Sequence, residues 1–301
     1  MTSNQDISWT SKLTLHRLKI IPFVADDPTA EYHPPANKGR EAIMYLSYLI
    51  QFYDKLPDVS IFVHGDDITW HIDLIFGKST ARAINDLDLE EVLRRRYLNL
   101  RTDWQNACPA WINTTRSYDG STGGTFFALH NHNVLVPEGE KFEEPYMKGA
   151  FRENFPGIPV PEILAQPCCS QFAVSKEAII SVPKATYEKQ LKWLLNTPLS
   201  DSLTGRMWEH MWQFLFLGKA VDCPPAYQAL CRGWHICFES QMELDNWNAV
   251  ARERDRLQPS LGRKDPPREV LEALDKQLKN LRRPAVRRGN NKKQRKRIAV
   301  G

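Results

Sequence analysis

The sequence predicts an α/β fold: one core of about 200–250 residues with a helical, basic carboxy-terminal appendage. Three observations carry that expectation. From Gly39 the apolar residues Ala42, Ile43, Tyr45, Leu46, Leu49, Ile50 and Tyr53 recur at helical spacing, and the run VSIFVHG (59–65) that follows reads as a buried strand ending in Asp66 and Asp67. A second strand, CCSQFAVS (168–175), leads into helices at about 184–195 and 203–217. Beyond residue 239, SQMELDNWNAVARERDRLQ and PPREVLEALDKQLKNLR read as two amphipathic helices joined by a Pro-bearing linker.

The remaining elements follow in chain order. Residues 19–25, KIIPFVA, are a short apolar run interrupted by Pro22 and closed by Asp26-Asp27-Pro28, which predicts an edge strand entering a turn. The helix beginning at Gly39 is expected to stop near Lys55, because Pro57 follows. Residues 86–98 predict a helix with Leu87, Leu89, Val92 and Leu93 on one side and Arg94, Arg95 and Arg96 at its carboxy-terminal end, where cations suit the dipole. The Gly-, Ser-, Thr- and Asn-rich stretch 118–145 lacks periodicity, and connections of that length are either functional or disordered. Phe151 to Phe155 close a short helix, and the three prolines of PGIPVPEIL dictate an extended connector. Met207, Trp208, Met211, Trp212, Leu215 and Phe216 form a wide apolar stripe, with Gly218 at a helix C-cap position.

Composition bounds the class. The chain is 42% hydrophobic and 25% charged, with nine Trp, enough to build a substantial core. No stretch approaches the roughly 18 apolar residues that span a bilayer, and the start has no apolar signal region, so a cytoplasmic or nuclear protein is expected. The cysteines are Cys108, Cys168, Cys169, Cys223, Cys231 and Cys237; none forms a CxxC pair and their spacing matches no zinc pattern. They are expected to be buried thiols, with pairing among Cys223, Cys231 and Cys237 as the alternative in an oxidising compartment. The net charge of +4 conceals an asymmetry: ten Lys or Arg and no acid lie from Lys279 onward, leaving 30 basic against 36 acidic side chains before it. A tail of that composition is expected to be disordered and to bind importin as a bipartite nuclear-localisation signal, nucleic acid or an anionic surface.

Candidate chemistry concentrates around residues 37–67. Asp66 and Asp67, at the end of a buried strand, are candidate ligands of Mg²⁺ or Mn²⁺, against the alternative that acids simply terminate strands. Asn37-Lys38-Gly39-Arg40-Glu41 offers a turn glycine, two cations and a helix start suited to phosphate, yet it lacks the GKS or GKT of a P-loop. Glu209 lies on the apolar late helix, where an acid either faces solvent or lines a polar pocket as a base or ligand. His64, His71, His130 and His132 flank these regions, and His210 is expected to be a satisfied helical histidine. GxSxG, HExxH, GxGxxG and the kinase motif set are all missing, which disfavours those hydrolases, metalloproteases and dinucleotide-binding proteins.

Three long segments carry a resemblance: DDPTAEYHPPANKGREAIMYLSYLIQFYDKLPDVSIFVHG, AFRENFPGIPVPEILAQPCCSQFAVSKEAI and LKWLLNTPLSDSLTGRMWEHMWQFLFLGKAVDCP. In order and spacing the chain resembles the fungal branch of DUF3431, a domain of unknown function, over roughly residues 6–238. That resemblance divides the chain into the α/β domain at 1–238, a helical extension at 239–282 and a basic disordered tail at 283–301. Against the family pattern, a strand before Asp6-Ile-Ser-Trp9 is expected to be missing, so a shortened amino terminus or a crippled enzyme is expected.

The NKGRE turn is more distantly similar to rhamnan-synthesis-type glycosyltransferases of GT-A architecture, a Rossmann-like three-layer sandwich. That similarity implies a nucleotide sugar near Asn37, Gly39, Arg40 and Glu41, a Mn²⁺ or Mg²⁺ ion near Asp66 and Asp67, and Glu209 as the base beside the acceptor. A non-catalytic accessory protein, associated with a fungal metabolite gene cluster, is the alternative expectation.

Overall fold

The computed structural model describes residues 1–105, 107–115, 141–257 and 267–300. The stretch from Ser117 to Glu140, with His130 and His132, lies outside them. In chain order the α-helices are α1 (Glu41–Gln51), α2 (Thr80–Asn85), α3 (Leu89–Arg95), α4 (Glu144–Asn154), α5 (Lys176–Ile180), α6 (Lys184–Asn196), α7 (Asp201–Glu209), α8 (Trp212–Leu217), α9 (Ala226–Trp234), α10 (Gln241–Arg256), α11 (Arg268–Asn290) and α12 (Lys292–Val300). The strands are β1 (Val59–Phe62), β2 (Tyr97–Asn99), β3 (Ile112–Asn113), β4 (Ile163–Leu164) and β5 (Phe172–Ser175).

The mixed α/β class is observed, but the sheets are small and antiparallel. The parallel, GT-A-like order expected from a helix feeding a strand is not found among the described residues. Strand β5 is central, pairing β1 from Val59↔Ser175 to Phe62↔Phe172 and β2 from Tyr97↔Val174 to Asn99↔Phe172. Local pattern locates a strand and its buried faces; it leaves direction open, and here β1's partner arrives more than a hundred residues later.

Alternation across the pleat divides the core in two. Phe62, Phe172 and Val174 join α1, α4, α6, α7 and α8 in one apolar cluster, while Ala173 and Leu98 join α3, α9, α10 and α11 in another. Helices therefore cover both faces of the sheet, which explains why every residue of β5 is buried and why its sequence reads as continuously apolar.

Three expected elements differ. The segment 19–25 forms no strand: Pro22 has no N–H to offer, Val24 N–H reaches only the Tyr32 carbonyl, and Ile20 is exposed. The helix expected at 203–217 is interrupted between Glu209 and Trp212, where side-chain amides replace helical partners: Gln166 donates to the Glu209 carbonyl and Gln213 to that of His210. Gly218 does take the left-handed C-cap conformation, at φ 65°.

The third difference is the tail. Residues 268–300 are helical and docked, which corrects the expectation of disorder. Ala285, Gly289 and Ile298, spaced through the basic run, are buried. Arg288 grips Glu243 at 2.6 and 2.7 Å and the Cys237 carbonyl at 2.7 Å, and Arg232 donates to the Ala299 carbonyl. Arg288, Arg295 and Arg297 are thus structural. Gly289 approaches so closely that an added Cβ would lie 1.6 Å from the His235 carbonyl oxygen.

The cysteines are not the free thiols expected first, and the alternative of pairing is met at Cys231–Cys237. All six are paired, as Cys108–Cys223, Cys168–Cys169 and Cys231–Cys237. No described helix is long and apolar enough to cross a membrane.

Two outcomes test this packing. Gly289→Ala is expected to cost about 2–3 kcal/mol, because the clash is with backbone rather than a movable side chain; equilibrium denaturation measures it, and an unchanged midpoint would mean that α11 does not dock there. Replacing Cys108 and Cys223 by Ala opens a link between positions 115 residues apart, and its removal is expected to cost about 2–4 kcal/mol by the same measurement.

Candidate active site

Around the first turn of α1 the molecule opens a cleft of about 1610 Å³, lined by Arg40, Glu41, His64, Asp66, His71, Arg101, Arg206 and Glu209 among others. Glu41 is there because it begins α1, and Glu209 because α7 stops at it. The segment before β5 holds both. Cys169 N–H donates to Glu209 Oε2 at 3.1 Å, and the Ser170 hydroxyl hydrogen-bonds Glu41. Gln171 Oε1 accepts from the His64 backbone N–H at 3.0 Å.

Backbone strain is gathered at the same place. Arg40, Cys169 and Ser170 take φ values of 53°, 90° and 49°, conformations that L-residues adopt at a cost. Each of these strained residues is at or next to a group that touches the carboxyl pair.

The electrostatics are unusual for acids. Burial drives Glu41 above the ordinary carboxylate range, against the opposing pull of Ser170 and Arg40. Burial and then the Glu41 charge push Glu209 up to about 8, with Arg206 pulling the other way. Two neighbouring buried carboxyls cannot both ionise cheaply, and each charge opposes the other. Burial likewise holds His64 and His71 down to about 4, and their Nδ1 atoms lie 3.0 Å apart. At neutral pH both are uncharged.

Cations surround this pair. Arg101 is positioned by Asp73 at 3.8 Å and reaches the Trp70 carbonyl and Cys169 Sγ. Arg206 lies over the Phe142 ring at 4.3 Å and only 4.0 Å from Glu143 Oε2. Glu143 in turn meets His210 Nε2 at 3.3 Å; burial would raise this acid, but the His210 contact brings it below the usual range. Arg40 contacts the Ser202 hydroxyl at 3.4 Å and no carboxylate within ion-pair distance among the described residues.

The residues singled out from sequence are partly brought together. Asn37, Arg40, Glu41, Asp66 and Glu209 all line the cleft. Gly39 is buried beneath it: its N–H donates to Asp201 Oδ1 at 3.2 Å, and an added Cβ would lie 2.6 Å from Leu194. Lys38 donates to the Leu195 and Thr197 carbonyls, so these two residues join α1 to α6 and α7.

Asp66 and Asp67 diverge. Asp67 is buried outside the cleft, accepting from Ser79 Oγ at 2.7 Å, Ala81 N–H at 3.1 Å and Lys12 Nζ at 2.9 Å. It anchors the start of α2. Among the described residues the Asp66 carboxylate accepts from Gln5 alone, at 3.4 Å, and its carbonyl from the Thr80 hydroxyl at 3.0 Å. This turn does not fit a paired-carboxylate clamp on a divalent cation, because Asp67 already satisfies three donors on the far side.

A family model described as a protein of unknown function, DUF3431, matches residues 1–232. The chain belongs to the DUF3431 family. No curated protein and no solved structure matches it. Nearly all of the cleft falls within the matched span of this DUF3431 chain, whereas α10, α11 and α12 lie beyond it. Sequence reading missed Arg101, Arg206, Glu143 and the Cys168–Ser170 turn; the adjacent cysteines were the visible signal for the last.

The raised Glu209 value has a consequence for stability. Between about pH 5 and 8 the folded chain keeps a proton on Glu209 that the unfolded chain has released, so this group lowers stability as pH rises through that window. His64 and His71 act oppositely below about pH 6.5, where unfolding takes up protons. The difference between the wild type and Glu209→Gln isolates the carboxyl: the variant is expected to gain about 1 kcal/mol per pH unit on the wild type between pH 5 and 8. Chemical denaturation at half-unit steps measures it, and a pH-independent difference would mean that Glu209 ionises normally.

Proposed function

We propose that this protein is an enzyme of glycosyl transfer that takes a nucleotide-sugar type of donor and uses Glu209, paired with Glu41, as its base. The observation that carries the reading is the buried carboxyl pair Glu41 and Glu209, enclosed in a cleft that Arg40, Arg101 and Arg206 also line. Pairs of carboxyls with displaced pKa values are suited to proton transfer near neutral pH. Arginines without tight carboxylate partners favour an anionic ligand, and a planar guanidinium matches phosphate oxygens.

In this reading the donor diphosphate lies against Arg40 and Arg206. Glu209 takes the proton of the acceptor hydroxyl as its oxygen attacks the anomeric carbon. The bond from that carbon to the diphosphate oxygen breaks with its electron pair, and the arginines balance the developing charge. Glu209 acts in its ionised form, and Cys169 N–H and the Ser170 hydroxyl fix the two carboxyls. The exposed Trp70 ring, backed by Arg101 at 5.6 Å, offers a flat surface at the cleft wall for a sugar or base. The Asp66–Asp67 turn does not fit a Mn²⁺ or Mg²⁺ clamp, so in this reading the arginines carry the diphosphate charge.

Thermal unfolding with uridine and guanosine diphosphates tests binding. A ligand at a hundred times its Kd is expected to add about 2.7 kcal/mol of stability, and Arg40→Gln/Arg206→Gln to remove that gain while leaving the ligand-free midpoint within a degree or two. If neither diphosphate moves the midpoint, the donor reading fails. Where binding holds, Glu209→Gln is expected to lower kcat about 10²–10⁴-fold with little change in donor affinity.

A further inference from the structure

Helix α11 carries a second functional feature, independent of the cleft. Lys276, Lys279, Arg283 and Arg287 recur at intervals of three, four and four residues, so at about 100° per residue they share one face. All four are exposed, and none meets a carboxylate within ion-pair distance among the described residues. The opposite face holds the buried Ala285 and Gly289 with the half-buried Leu278 and Leu281, all turned to the body of the protein. The helix therefore presents a cationic ridge spanning about 16 Å at 1.5 Å per residue. Acids occupy only its first turns, where Glu272 is paired with Arg268 and Asp275 with Arg254.

This surface differs from the other basic side chains nearby. Arg288 and Arg232 are consumed in docking the helices, and Arg297 meets Glu239. On α12, Lys292, Lys293 and Lys296 extend the exposed charge beyond the end of the ridge.

We infer that the ridge binds a linear acidic polysaccharide through its carboxylate or sulfate groups. Three features select this partner. The cations lie in line along a rigid helix, which suits an extended polyanion. No aromatic side chain occurs from Lys276 to Arg297, so there is nothing on which bases would stack. The apolar face of the helix is spent on the protein core, so no greasy face remains for a bilayer.

The full-length, disulfide-intact protein is titrated with polygalacturonate and dextran sulfate, with single-stranded RNA, and with vesicles containing anionic phospholipid, each at several salt concentrations. Expected is binding to the acidic glycans, with a log K against log salt slope of about −3 for four displaced counterions. The variant K276E/K279E/R283E/R287E is expected to keep the wild-type melting temperature and to lose at least tenfold in glycan affinity. A variant that binds the glycans as the wild type does overturns the inference, as does tighter binding of RNA or vesicles than of either glycan, or no binding to any glycan at low salt.

Discussion

The segment Gln166–Ser175 is the constraint on which the rest of the structure depends. Its second half, β5, pairs both β1 and β2, and it lies between the two apolar clusters. Its first half is polar and almost entirely buried, with Gln166, Ser170 and Gln171 each at 0% exposure. Buried polar groups of this kind destabilise a fold unless each finds a partner. Gln166 bonds Tyr97 and the Glu209 carbonyl, Ser170 bonds Trp212 and Glu41, and Gln171 Oε1 accepts from the backbone of His64, leaving only its Nε2 without a partner among the described residues of this stretch. One short stretch thereby fixes the strand order, the break between α7 and α8, and the positions of both cleft acids.

That arrangement opposes local stability. Two carboxyls are kept out of water beside one another, two imidazoles are kept neutral, and three non-glycine residues sit at positive φ around them. The aromatic packing beneath compensates: Trp208, Trp212, Tyr97 and Phe172 are fully buried and in mutual ring contact through Trp212 and Phe172. Large rigid side chains leave little freedom for the strained turn to relax. The coincidence of strain, displaced ionisation and a cleft is the pattern expected where a fold holds chemistry.

Much of this was legible in the sequence, and the limits have physical causes. Helical periodicity located α1, α6, α10 and α11, and Gly218 marked the end of α8, because capping and amphipathic spacing are local signals. Glu209 stood out as an acid on an apolar stripe. Its partnership with Glu41 was invisible, since it depends on α7 stopping at Glu209, where Gln166 from elsewhere in the chain takes up the Glu209 carbonyl and Gln213 that of His210. Asp66 and Asp67 looked like a pair because they are adjacent, yet neighbouring residues in an extended chain point to opposite sides. Strand direction failed for a similar reason: nothing local to β1 specifies a partner that arrives only at Phe172.

The cysteines and the basic tail were misread together, and the structure links them. Spacing alone offered no CxxC pair, so the thiols looked independent, while the density of charge after Lys279 looked incompatible with a fixed fold. Cys231–Cys237 fastens the end of α9 to the chain beyond it, and on that fastened turn the Cys237 N–H bonds the Ala285 carbonyl while Ile298 packs against the disulfide. The turn gives α11 and α12 a surface to dock on, and docking orders the charges that composition would leave dispersed. Ordering changes what those charges can recognise. A disordered basic tail attracts any polyanion in proportion to charge, whereas a helix held on a core offers its cations at set intervals and has already lost the conformational entropy that binding would otherwise cost.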